Sequence, residues 1–182
     1  MDSISEGRLS LVCPALATVM RTMAEMLRPA ADVRVVQGVR SWPEQAALWA
    51  VGRKTPGRPC WHDGLVRTLG TCAQHPHGLR VTNCPPGWSW HQFGLAVDLA
   101  PDDPELPGWQ PDWNPSHPQW QKMEAVARSL GLTCGSQFRS FPDNPHFQLT
   151  GRFGVNPDDE VRQLFLDGGM LAIWRESGLW SG

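Results

Sequence analysis

Net charge is nearly absent from this sequence: 16 Lys and Arg stand against 18 Asp and Glu, a formal balance of −2 at pH 7. Such a balance offers no electrostatic capture of nucleic acid or of an anionic membrane. Long apolar runs are missing as well. The most apolar early segment, Leu11 to Leu27, is broken by Arg21 and Glu25 and makes no membrane span. The N-terminal Met-Asp-Ser-Ile-Ser-Glu-Gly has no basic region leading into an apolar stretch, so no signal peptide is expected and synthesis in the cytosol is. Tyrosine is absent altogether, against 10 tryptophans. What is present, 182 residues with 41% hydrophobic and 19% charged, suits one soluble domain with a sizeable core.

The chain reads best around Ser89-Trp90-His91-Gln92-Phe93-Gly94-Leu95-Ala96-Val97-Asp98, with Phe141-Pro142-Asp143-Asn144-Pro145-His146-Phe147 downstream. His91, Asp98 and His146 make two imidazoles and a carboxylate, a ligand set that suits Zn²⁺ with one position left open to water. A strand over 93–99 would turn Phe93, Leu95 and Val97 into a core and set Gly94, Ala96 and Asp98 on the other face. His91 lies seven positions before Asp98, an odd separation, so it must precede the strand on a bend that Gly94 permits. His146 shares a face with Gln148, while Phe147 and Leu149 face the core. Asp143, held in a Pro-Asp-Asn-Pro turn, is the spare carboxylate that a general base requires. Other chemistries lack their motifs. No His-Glu-x-x-His occurs, no His-x-Asp/Glu of the non-haem iron type surrounds the site, and no Gly-x-Ser-x-Gly marks a serine nucleophile.

Ser-x-His-x-x-Gly-x-Ala-x-Asp followed by Asp-x-Pro-His-Phe resembles the zinc peptidases that include D-Ala-D-Ala carboxypeptidases and dipeptidases. It is most similar to their L-alanoyl-D-glutamate endopeptidase branch, which holds many phage endolysins, over roughly Leu9 to Leu149. The resemblance implies an α+β fold, a small antiparallel sheet flanked by helices. It implies Zn²⁺ on His91, Asp98 and His146, Asp143 as base, and a peptidoglycan stem-peptide bond as substrate, L-Ala–D-Glu first and a terminal D-Ala–D-Ala second. It also implies a monomer that acts on the wall after release from the cytosol. Arg40, in Gly38-Val39-Arg40-Ser41, matches an arginine that stabilises the oxyanion or a substrate carboxylate; Ser89 and Gln45 match substrate contacts. Read without the resemblance, Arg40 is a surface arginine and Gln45 a polar residue on an exposed helix face. A non-catalytic zinc module of the same fold is the alternative to an enzyme, and the presence of Asp143 and Arg40 favours the enzyme.

In chain order, Leu11, Val12, Leu16, Val19, Met20, Met23 and Leu27 recur at helical spacing, with Pro14 in an early turn and Cys13 inside. A strand over 32–38 precedes a helix that opens on Ser41, with Glu44 completing a capping box. Gly52 to Gly57 matches a turn of the endopeptidase branch. The stretch from 58 to 87 is an insert holding Cys60, His62, Cys72, His75, His77 and Cys84, which suit either a second metal or one disulfide and a spare thiol. Ser116 is the expected cap of a further helix ended by Gly131. At Gln137 the family commonly carries an acid. Asn156 to Glu160 opens a C-terminal helix packed on the core. Trp88, Trp90, Trp109 and Trp113 flank the site, as a platform for glycan or peptide or, more simply, as packing for irregular loops.

Overall fold

The computed structural model describes residues 1–28, 31–51, 81–103 and 105–181, and the backbone of 59–62 and 65–68. Among the described residues, five helices surround a four-stranded sheet, the α+β architecture expected. In chain order these are α1 (Ser3–Leu9), α2 (Pro14–Leu27), β1 (Val33–Gln37), α3 (Trp42–Ala50), β2 (Pro59–His62), β3 (Leu65–Thr68), β4 (Ala96–Pro101), α4 (Pro118–Ser129), β5 (Thr133–Cys134), β6 (His146–Gln148) and α5 (Asp159–Glu176). Strands β1-β4-β6-β5 form the sheet in that order, every pairing antiparallel, and β2 pairs with β3 as a separate ribbon. No helix among the described residues is long and apolar enough to cross a membrane.

The first helical stretch is two helices. Proline disfavours αR in the residue before it, and Cys13 accordingly takes φ −50° and ψ 129° and lies just outside α2, with Pro14 opening that helix. Asp2 caps the preceding α1 by accepting from the Ser5 N–H at 2.7 Å. Leu11, in the link, is 59% exposed rather than core. Strand β4 likewise starts later than expected, because Trp90–Phe93 wind into a 3₁₀ turn closed by Gly94 in the left-handed region, φ 68°. A Cβ at Gly94 would lie 2.9 Å from the Trp174 ring, so both backbone and packing require glycine there. Helix α4 is entered at His117-Pro118, not capped by Ser116, since Pro118 fixes the first-turn geometry itself. Gly131, at φ 79°, follows its end as expected. The Ser41–Glu44 capping box forms, and Asp158 caps α5 by accepting from the Val161 N–H.

Leu16, Met20 and Met23 of α2, Leu95, Val97 and Leu99 around β4, and Met123 of α4 belong to one core of buried residues. Ile173 and Trp174 bring α5 into it, and the Trp174 indole N–H donates to the Phe93 carbonyl at 2.8 Å. The C-terminal helix thus braces the 3₁₀ turn that carries His91. The turn expected at Gly52–Gly57 and the side chains of Cys60, His62, Cys72, His75 and His77 lie outside the described residues. Cys13 and Cys134 are buried, as core residues should be.

Candidate active site

Sheet register brings the chemistry together. Asp98 on β4 stands directly opposite His146 on β6, and residues opposite one another in an antiparallel pair share a face. Gln148 lies two residues on from His146, on that same face, opposite the small Ala96. The bend at Trp90–Phe93 then swings His91 over the pair. His91 Nε2 lies 3.1 Å from Asp98 Oδ1 and 3.1 Å from His146 Nδ1, and the third edge, His146 Nδ1 to Asp98 Oδ1, is 3.4 Å. Ligand atoms about 2.0–2.1 Å from a tetrahedral ion would be about 3.3 Å apart, so the triangle has the dimensions of a zinc site.

Hydrogen bonding behind the triangle makes the same point. His91 Nδ1 lies 2.9 Å from the Gly38 carbonyl, which can only accept, so this nitrogen carries the proton. His146 Nε2 lies 3.0 Å from Gln148 Oε1, and that amide is oriented by its own Nε2 donating to the Val155 carbonyl. In their neutral forms both imidazoles therefore present bare nitrogens to one point beside a carboxylate oxygen. With both rings neutral, three lone pairs converge there with no N–H between them; a cation satisfies that arrangement, and so does a proton drawn onto His146 beside Asp98. His91, Asp98 and His146 are also the one such cluster of potential metal ligands among the described residues.

Electrostatics follow from burial and this crowding. Burial pushes the His91 imidazolium pKa down, outweighing Asp98 beside it. Burial works to raise the Asp98 pKa, yet the two imidazoles hold it well below the usual carboxylate range. For His146, burial opposes the charge, but Asp98 and Gln148 carry its pKa above the ordinary histidine value. Asp143 is different: burial and the charge of Asp98 both raise its carboxyl.

Arg40 lines the cavity at the triangle, and is committed there to partners of its own. Its Nη1 donates to Gln45 Oε1 at 2.9 Å and its Nη2 to Asp98 Oδ2 at 3.2 Å, so its two terminal nitrogens grip the outer oxygen of Asp98 and the amide behind it. Gln45 is fully buried, neither on an exposed helix face nor on the cavity wall; its Nε2 donates to the Cys84 carbonyl at 2.7 Å. Gln45 thus holds Arg40 from behind. Ser89 is nearly buried and does line the cavity.

That cavity, about 440 Å³, opens over the triangle, and Arg40, Asp143, Trp88 and Phe138 also line it. Its volume suits a peptide-sized ligand. Of the flanking tryptophans, Trp90 is core, its indole N–H donating to the Val155 carbonyl. Trp88 is 44% exposed at the cavity, with the Arg162 guanidinium 4.2 Å from its ring centre. Trp109 and Trp113 do not line the cavity. Gln137 points to α4 instead: its amide and the Ser136 hydroxyl donate to the two oxygens of Glu124, at 2.8 and 2.9 Å.

Gln148 and the Gly38 carbonyl, which fix the two imidazoles, escaped sequence reasoning; the two-residue spacing from His146 was the one available signal. Replacing Gln148 by Leu is expected to weaken zinc binding by roughly 10- to 100-fold, because the His146 ring loses its orienting acceptor. Competition with a chromophoric chelator measures this, and unchanged affinity would show that Gln148 does not set the ring.

Residues 83–149 match the family model described as D-alanyl-D-alanine carboxypeptidase. The peptidoglycan L-alanyl-D-glutamate endopeptidase CwlK of Bacillus subtilis is 27% identical over 143 residues, covering 74% of this chain and 73% of its own. Among solved structures, the L-Ala D-Glu endopeptidase ChiX of Serratia marcescens aligns at TM-score 0.49 and 23% identity, over 84% of this chain and 90% of its own. The vancomycin resistance D,D-dipeptidase VanXYg, in complex with a D-Ala-D-Ala phosphinate analogue, aligns at 0.48 and 17%, over 91% of this chain and 59% of its own. The segment that resembles the D-alanyl-D-alanine carboxypeptidase family model contains His91, Asp98, Asp143 and His146 together.

Proposed function

We propose that the protein is a zinc-dependent peptidase that hydrolyses an amide bond of the peptidoglycan stem peptide, the L-Ala–D-Glu bond. The observation that carries this reading is the convergence of two imidazole nitrogens and a carboxylate oxygen on one point, beneath a cavity that also holds a carboxyl of raised pKa. The name of the Bacillus subtilis relative supports the choice of bond.

His91 Nε2, His146 Nδ1 and Asp98 Oδ1 would hold the ion. Zinc bound there supplies Lewis acidity, polarising the scissile carbonyl and easing deprotonation of water. Asp143 takes the proton from the attacking water and returns it to the leaving amine, a task suited to a carboxyl whose pKa has been moved up toward neutrality. Arg40 fixes Asp98 by its outer oxygen and keeps a positive charge on the cavity wall where the oxyanion develops. Gln45 locks Arg40 from behind. The substrate places the site of action at the cell wall.

The decisive test is zinc content together with digestion of a defined muropeptide. About one zinc per chain and a new N-terminal D-Glu are expected. Zinc without cleavage of any stem amide would sink the enzyme and leave a binding module. Release of D-Ala alone would move the bond to the terminal D-Ala–D-Ala.

A further inference from the structure

Charge is unevenly spread around the cavity. Asn83, Trp88, Val155 and Asn156 bring no formal charge to it. The lining segment Phe138, Arg139, Ser140 and Phe141 is different, since it carries a guanidinium and runs directly into Asp143. Phe138 itself packs against the His146 ring, centres 5.6 Å apart, so this wall begins at the triangle. Arg40 and Arg139 are the two cavity-lining cations among the described residues. The first is occupied by Asp98 and Gln45. Arg139 is exposed, and among the described residues it has neither an ion-pair partner nor a hydrogen-bond partner.

We infer that Arg139 binds the free carboxylate of the residue whose amine leaves, and so sets both the direction and the charge preference of the substrate. The inference rests on the peptidase reading above, in which Asp143 protonates the leaving amine. The leaving residue must then lie along the segment that ends in Asp143, the segment that presents Arg139. In an L-Ala–D-Glu bond the charged partner is on that side: the stem continues through the γ-carboxyl of D-Glu, which leaves its α-carboxylate free beside the amine. The acyl side, L-Ala on a lactyl group, is uncharged and matches the neutral lining. A guanidinium offers a carboxylate two parallel N–H donors, and an uncommitted one on a cavity wall has no competing partner to give up.

The test compares kcat/KM on two muropeptides that differ only at the second residue, D-Glu or D-isoglutamine, each with either diaminopimelate or Lys at the third. Wild type is expected to favour the acid by roughly tenfold, mostly through KM, as a charge-assisted pair at a partly exposed site allows. Arg139→Gln should bring the acid-to-amide ratio close to one with zinc content unchanged, and Arg139→Lys should restore part of it. A merely structural role would lower both substrates together and leave the ratio standing, which would overturn the assignment. A preference that follows the carboxylate of the third residue would overturn it too, moving the contact one residue on. If wild type cleaves all four substrates without preference, the role of Arg139 fails and the peptidase reading stands. If it cleaves none, the peptidase reading itself has failed.

Discussion

Asp143→Asn is expected to lower kcat/KM for stem-peptide hydrolysis by about 10²- to 10⁴-fold while zinc content stays at the wild-type level. The carboxyl lines the cavity but does not belong to the His91, Asp98 and His146 triangle, so the ligand set survives the change. Asparagine has the same shape and keeps the backbone bond from the Asp143 N–H to the Gly135 carbonyl, 2.9 Å, that seats the turn. What it cannot do is accept and return a proton. The pH profile gives a second readout. A base works only when deprotonated, and burial with the charge of Asp98 raises the Asp143 pKa. The wild-type rate is therefore held above that raised pKa and lost as pH falls through it, whereas any residual rate of the variant should lack this limb. Folding supplies a control of known sign. A carboxyl whose folded pKa exceeds its unfolded value costs stability wherever it is ionised, so Tm of the variant should hold or rise. A variant that keeps its rate would remove Asp143 from the mechanism; one that loses zinc would place it among the ligands.

The cluster of His91, Asp98 and His146 was legible because its members sit in short local patterns. The odd separation of His91 from Asp98 demanded a bend, and the bend is there, closed by Gly94 at φ 68°. The capping box at Ser41 was equally local. What could not be read depends on contacts between distant segments. Nothing near Gln45 says that it is buried, because its partners, Arg40 and the Cys84 carbonyl, are brought to it by the fold. Gln148 acquires its role only from the Asp98–His146 register and from the Val155 carbonyl that turns its amide. Arg40 was recognised, but its target was not: opposite charge at 3.2 Å, in a site nearly closed to water, draws it to Asp98. The helix at the start was misjudged for a local reason, the effect of Pro14 on Cys13, together with an unexpected cap at Asp2.

Gly135→Ala is the second substitution with a large expected effect, and it acts through packing alone. Gly135 opens the 3₁₀ turn before the Asp143–His146 segment, and a Cβ placed on it would lie 2.5 Å from the Asp143 carbonyl oxygen and 2.7 Å from the His146 Cβ. Neither neighbour can yield cheaply. The first is backbone, and the second is the root of a side chain pinned at Nε2 by Gln148. Relief must come from moving the whole segment, which carries His146 and Asp143 together. A shift of about 1 Å in reacting groups costs on the order of 10²-fold in rate, so kcat/KM should fall by at least that much. Overpacking of this kind also costs about 1–3 kcal/mol of stability, and zinc affinity should drop with the displaced His146. Gly7→Ala provides the contrast, since a Cβ there meets nothing within 4 Å and sits inside α1. Zinc affinity, kcat/KM and Tm measured on both variants separate the cases: losses in all three for Gly135→Ala alone are expected. If Gly135→Ala instead kept wild-type rate and affinity, the segment would have room to move without disturbing its chemistry, and the close seating of Asp143 and His146 on this glycine would have no functional weight.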